Sequence, residues 1–303
     1  MLMTAVDTYL AVRRATGFAL KACDGYLRNF AHFATGRGET HVVTSTAIAW
    51  AASASSEAQR HNRLQTVVRF ARFMHAEDIR HEIPPATVFC GRRQRPTPYI
   101  FSDAELQRLV THAQQLGPVG SLRPHTYSTL FGLLAATGMR PTEARALHLS
   151  DLTPEGLIIR ESKFKKSRLL PLHDTTWVAL RSYVDRRRRV AGHNPHLFVS
   201  CRGSRLSHTV VAETFHAVVQ AAGVARKPGR SRPRLMDLRH TFAVRGLQTC
   251  SNAREHVGRQ VLALMTYLGH AKVESTYWYL ESTPELLIDI AQRCEAFITG
   301  GDQ

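Results

Sequence analysis

Only five cysteines occur in 303 residues: Cys23, Cys90, Cys201, Cys250 and Cys294. They are odd in number, scattered, and never spaced C-x-x-C, which excludes a disulfide framework and a zinc ribbon and fits a reducing compartment. No apolar run approaches the roughly 20 residues needed to span a membrane, so no membrane partner is expected. The stretch from Met1 to Leu20 is amphipathic, carries Arg13 and Arg14, and lacks the layout of a signal peptide; the expected location is the cytoplasm. Sixteen histidines include no H-E-x-x-H, and His193 and His196 merely flank a proline, so no metal or other cofactor is expected. Acidic residues are also scarce, with 24 Asp and Glu against 40 Lys and Arg.

The resulting charge of +16, with a pI near 10.3, points to a polyanionic partner. Phosphate neutralisation supplies much of the affinity of basic proteins for nucleic acid. A solubilising surface is the alternative use of the same charge. The apolar fraction of 44% suffices for globular cores, and the length suggests two domains.

Residues 1–90 read as a helical domain. Val6, Tyr9 and Leu10 begin one helix, and Cys23, Tyr26, Leu27, Phe30 and Phe33 keep a 3.6 period in the next. Ile48 and Trp50 lie in a short third. Leu64, Val67, Val68, Ala71 and Met74 mark a fourth, which also carries Arg60, Arg63, Arg69 and Arg72 on more than one face. Pro84-Pro85 stops the pattern. Residues 91–98 form a basic, Pro-rich linker that includes Arg92, Arg93 and Arg95. The second domain, 99–303, opens with a capping box from Ser102 to Glu105.

A nearly all-apolar helix from Tyr127 to Ala136 supplies the core of that domain and ends at Thr137-Gly138. Pro141 suits the first turn of a following helix and holds Arg140 just before it, with Glu143 in reach to orient the guanidinium. Leu157 to Arg160 and Leu169 to Leu172 read as two strands around a tip with four positive charges, Lys163, Lys165, Lys166 and Arg168. A helix from Thr176 to Val190 ends in four arginines, Arg186 to Arg189, read as a solvated or backbone-contacting face. His196 to Ser200 reads as a short strand and Ser207 to Ala222 as a helix. A further helix begins around Met236 to Ala243. Another, with Val257, Val261, Leu262, Leu264, Met265 and Leu268 on its apolar face, leads to Gly269-His270. Tyr279 follows nine residues after His270.

Four strings in this order resemble the tyrosine recombinases, or phage integrase family. They are Ala136-Thr-Gly-Met-Arg140-Pro-Thr-Glu143-Ala, Leu238-Arg239-His240-Thr241-Phe242-Ala243, Leu268-Gly269-His270, and Tyr279 at its spacing. Lys163, ahead of Ser167-Arg168-Leu-Leu-Pro-Leu, falls where that family carries a hairpin lysine. The resemblance spans about Tyr99 to Phe297, and the helical N-terminal half is similar to the family's DNA-clamping domain.

The resemblance implies a mainly α fold with a small antiparallel sheet, and a mixed α/β catalytic domain. It implies a site-specific recombinase, of integrase or transposase type, acting on double-stranded DNA without metal or ATP. Tyr279 would be the nucleophile, leaving a 3′-phosphotyrosyl bond. Arg140 and Arg239 would stabilise the attacked phosphate, His270 would bond to it, and Lys163 would protonate the departing 5′-oxygen. Glu143 and His240 would support the site, while Arg92, Arg93, Arg95, Lys165 and Lys166 would contact DNA. Homo- or hetero-tetramers on two DNA sites, in the nucleoid of a prokaryote, are the expected assembly. Met236 departs from the pattern, since the family usually has histidine there and methionine cannot shuttle a proton. A type IB topoisomerase-like enzyme and a catalytically weakened DNA-binding relative remain as alternatives.

Overall fold

The computed structural model describes residues 2–18, 20–89, 97–160, 167–225, 232–248 and 254–269. It divides into two compact units, Met1–Arg95 and Pro96–Gln303. Among the described residues no helix is long and apolar enough to cross a membrane.

The first unit consists of α1 (Leu2–Ala15), α2 (Lys21–Thr35), α3 (Thr44–Ala52) and α4 (Glu57–His75). Their apolar stripes meet in one core of Val6, Leu10, Leu27, Phe30, Trp50, Val67 and Phe70. The Trp50 indole N–H donates to Asn29 Oδ1 at 2.7 Å, which satisfies its polar atom at the edge of that core. Ser56 caps α4 by accepting from the Gln59 backbone N–H. Two of the four α4 arginines are used internally. Arg60 Nε donates to the Ala54 carbonyl, and the Arg63 guanidinium lies 5.1 Å from the Trp50 ring centroid. Arg69 and Arg72 face solvent.

The second unit is built on α6 (Arg123–Thr137), which buries Tyr127, Leu130, Phe131, Leu133 and Leu134. Around it lie α5 (Asp103–Gln114), α7 (Pro141–Ala146), α8 (Asp174–Ala191), α9 (His208–Ala221), α10 (Met236–Gln248) and α11 (Arg254–Leu268). The expected capping box starts α5, where Ser102 and Glu105 exchange side-chain-to-backbone bonds. Phe131 and Phe215 meet edge-on at 5.3 Å in the common core.

The sheet has three antiparallel strands in the order β1 (Leu152–Thr153), β2 (Gly156–Ile159) and β3 (Arg168–Leu170), so that β1 adds to the two strands expected around the basic tip. The first strand has only two residues, too few to show alternation in sequence. Residues 196–200 form no strand. They make only isolated bridges, His148 with His196 and Val199 with Arg205. The Arg187 guanidinium binds the carbonyls of Asn194, His196 and Leu197 and so ties this segment to α8. Arg187 thereby corrects the reading of the arginine run. It is fully buried, because it follows Leu180, Tyr183 and Val184 on the inner face of α8.

In the first unit the Val42 N–H donates to His81 Nδ1 at 3.1 Å, and Glu82 N–H returns a bond to the Val42 carbonyl. The His75 ring bonds the His81 carbonyl, while His41, Asp78 and Arg80 surround the imidazole. Burial, then the nearby His41 charge, hold the His81 pKa below its ordinary value. The unfolded chain therefore binds the proton first as pH falls. This contribution to stability is complete above pH of about 6.5 and is lost below it. The urea midpoint of the intact chain is expected to fall between pH 7.5 and 5.5, and to fall less in His81→Gln, which keeps a neutral acceptor. Equal slopes in the two proteins would assign the dependence to another group.

Candidate functional site

Arg140 is the N-cap residue of α7, with extended backbone at φ −71° and ψ 142°. Pro141 enforces that geometry by disfavouring the helical region for the residue before it. The Arg140 N–H donates to Glu143 Oε2 at 2.9 Å, and its Nη1 reaches Glu143 Oε1 at 2.7 Å. Arg140 Nη2 donates to the Gly269 carbonyl at 3.1 Å, 129 residues away.

Arg239, on the buried face of α10, converges on the same place. Its Nη1 donates to the Gly138 carbonyl at 2.7 Å and its Nη2 to the Leu268 carbonyl at 2.8 Å. The ends of α6 and α11 thus meet, and both turn through a glycine of positive φ, Gly138 at +58° and Gly269 at +68°. Such glycines are the usual way to end a helix while turning its last carbonyls outward. The two arginines bond the carbonyls so exposed.

A third guanidinium belongs to this group, from a residue that the sequence places in the charged hairpin tip. Arg168 turns inward. Its Nη1 and Nη2 take both oxygens of Glu143, at 3.2 and 2.8 Å, and its Nε donates to the Tyr267 carbonyl at 2.9 Å. Its side chain is 12% exposed. The signal was available in the period of the strand. Arg168 shares a face with buried Leu170, while Leu169 between them is 48% exposed.

Glu143 is therefore a buried carboxylate between two guanidiniums. Burial alone would raise its pKa. The hydrogen bonds from Arg168 and from the Arg140 backbone N–H outweigh burial, and the carboxyl lies below its ordinary value. His240, next to Arg239, has Nε2 3.9 Å from Asp237 Oδ1. Met236 is the first residue of α10 and is 37% exposed. Tyr267 stacks on Phe242, and burial pushes its hydroxyl up to about 12, which makes it a poor nucleophile. Lys163, Lys165, Lys166, Arg92, Arg93, Arg95, His270 and Tyr279 lie outside the described residues.

One group of metal-ligand type occurs among the described residues, His41, Asp78 and His81, with ligand atoms within 4.8 Å of one another. The Val42 N–H occupies His81 Nδ1, which leaves the ring proton on Nε2, and Arg80 forks onto Asp78. Those bonds make the group a structural clasp.

Comparisons with known proteins place the chain in a family and a fold. The model of the phage integrase family matches residues 99–285. A Sinorhizobium fredii protein named as an integrase/recombinase, y4rB, is 38% identical over 302 residues, covering 96% of each chain. Two solved structures share the fold. The XerH site-specific recombinase bound to its palindromic difH substrate superposes with a TM-score of 0.66 at 18% identity, over 89% of this chain and 78% of that one. A lambda integrase tetramer bound to a Holliday junction gives 0.64 at 18% identity, over 92% and 76%.

Gly138 carries the convergence of Arg239 and α7. A Cβ there would meet the Phe242 ring at 2.5 Å, whereas a Cβ on Gly132 in mid-α6 would meet nothing within 4 Å. Gly138→Ala is expected to lower stability by at least about 1–2 kcal/mol from the left-handed φ alone. Gly132→Ala is expected to be neutral or stabilising, by up to about 1 kcal/mol. Urea unfolding of the two variants measures the contrast.

Proposed function

Because the chain belongs to the phage integrase (tyrosine recombinase) family, we propose that it cleaves and rejoins double-stranded DNA at specific sites through a 3′-phosphotyrosyl intermediate. The observation that carries this reading is the convergence of Arg140 and Arg239 on the paired ends of α6 and α11. A phosphodiester under attack gathers negative charge on its non-bridging oxygens. Two guanidiniums fixed by backbone carbonyls stabilise that charge without reorganising at the moment of reaction.

In the proposed step the Tyr279 hydroxyl gives its proton to a histidine of the site, His240 or His270, its Oη attacks the phosphorus, a P–O bond to the tyrosine forms, and the bond to the 5′-oxygen breaks. Lys163 gives its proton to that leaving oxygen, a task an arginine cannot perform because it stays charged. His270 bonds the phosphate. The 5′-hydroxyl of another strand reverses the step, so the bond energy is kept without ATP, metal or other cofactor. The first unit acts as a DNA clamp, with Arg69 and Arg72 exposed on α4. Arg92, Arg93, Arg95, Lys165 and Lys166 add phosphate contacts. A tetramer on two duplexes is the proposed assembly, by analogy with the lambda integrase tetramer bound to a Holliday junction. The proposed location is the nucleoid of the cytoplasm.

Met236 favours a second reading, a relative that binds DNA and cleaves it weakly. It sits partly exposed at the start of α10, three residues before Arg239, and offers no base. His240 is the described residue next to Arg239 that can hold a proton there.

The test uses nicked, fragmented genomic DNA of the organism that carries the gene. The chain is expected to form detergent-resistant protein–DNA adducts whose sequencing identifies the site. Tyr279→Phe should abolish adducts and retain DNA; adducts that persist would assign the nucleophile elsewhere. Met236→His is expected to speed adduct formation on a synthetic duplex of the recovered site. An unchanged rate would mean that proton removal at this position does not limit cleavage.

A further inference from the structure

Arg168 carries no step of the proposed chemistry, yet it makes more bonds at the site than a charge on a hairpin needs. We infer that Arg168 is a positioning residue that keeps the Arg140 guanidinium available to the DNA phosphate; the inference rests on the recombinase reading. Three observations support it. First, Arg168 takes both Glu143 oxygens, so Arg140 keeps only one side-chain bond to that carboxylate, Nη1 to Oε1. Second, Arg168 Nε fixes the Tyr267 carbonyl in the last turn of α11. Third, its guanidinium packs on the Gly269 turn, where an added Cβ would lie 2.9 Å from Nη1. That same turn supplies the carbonyl that holds Arg140 Nη2.

The physical consequence follows from how guanidinium and carboxylate pair. Left alone, an arginine and a carboxylate three residues apart close into a two-bonded fork, which directs the N–H groups into the pair. Arg168 occupies that fork from the other side. Arg140 then spends two of its five N–H groups, on Glu143 and Gly269, and the others have no partner among the described residues. The strand that bears Arg168 begins five residues after Lys163 in sequence. The hairpin of the proposed general acid and the proposed phosphate grip are therefore anchored to one carboxylate.

The test compares two substrates made from the site recovered by adduct sequencing. One carries the ordinary scissile phosphate. The other carries a methylphosphonate, whose missing non-bridging charge removes most of the need for Arg140. Arg168→Ala and Arg168→Lys are expected to lower the rate of adduct formation about a hundredfold on the phosphate, the order of loss from a misplaced group. On the methylphosphonate they should fall within about threefold of the unaltered chain. Arg168→Lys keeps the positive charge beside Glu143, so it carries the test if the alanine variant unfolds. Its DNA retention is expected to match that of the unaltered chain. Equal losses on both substrates, or a fully active lysine variant, would overturn the positioning role. No adduct from the unaltered chain on phosphate DNA would overturn the recombinase reading, and this inference with it.

Discussion

The arrangement of the second unit depends on one buried carboxylate. Glu143 has a side chain only 5% exposed, and it is compensated by two guanidiniums and a backbone N–H. A carboxylate taken from water at that depth is costly unless paired and hydrogen-bonded, and removing one partner leaves the rest of the network uncompensated. The two arginines also need it, because like charges held close in a half-dry site repel. Glu143 lies on α7, Arg168 on β3, and both arginines reach the end of α11. Three segments distant in sequence are thus fastened at one point.

The remaining partners at that point are backbone carbonyls, and this choice matters for an anion-binding site. The carbonyls of Gly138, Tyr267, Leu268 and Gly269 orient Arg140, Arg168 and Arg239 without cancelling their charge. A helix leaves its last carbonyls unpaired and its C-terminal end partly negative, so guanidiniums are favoured there. The site solves two problems together, since the ends of α6 and α11 gain donors and the arginines gain fixed positions. Three cations set against one carboxylate leave a net positive charge where a phosphate is proposed to dock.

Features that depend on neighbours within a turn were legible in the sequence. The capping box at Ser102, the glycine ending α6 and the contact between Arg140 and Glu143 span three residues or one turn. Features that depend on partners far along the chain were not. The bonds of Arg239 cross 101 and 29 residues, and only the family resemblance singled that residue out. The burial of Arg187 and Arg168 escaped because arginine in a basic run reads as solvent-facing. What overrides that reading is a set of carbonyls and a carboxylate brought in by tertiary structure. In both cases the period of the element held the signal, since Arg187 follows buried apolar residues on one face of α8 and Arg168 shares a strand face with buried Leu170.

The same distinction bears on how a charge of +16 relates to DNA. A fair share of the described arginines is committed inside the protein. Arg60 and Arg63 serve α3 and its following turn, Arg108 bonds the Ala222 carbonyl, and Arg145 bonds the Leu206 carbonyl with two nitrogens. Lysine would serve poorly at Arg145, because a planar fork aims two nitrogens at one carbonyl while an ammonium offers a point charge. The preponderance of arginine is in part a structural requirement of a fold whose helix ends and turns present many carbonyls. Net charge therefore overstates the surface available to a polyanion, and the affinity it implies. What distinguishes Arg69 and Arg72 from Arg60 and Arg63 is their exposure on α4, which composition alone does not reveal.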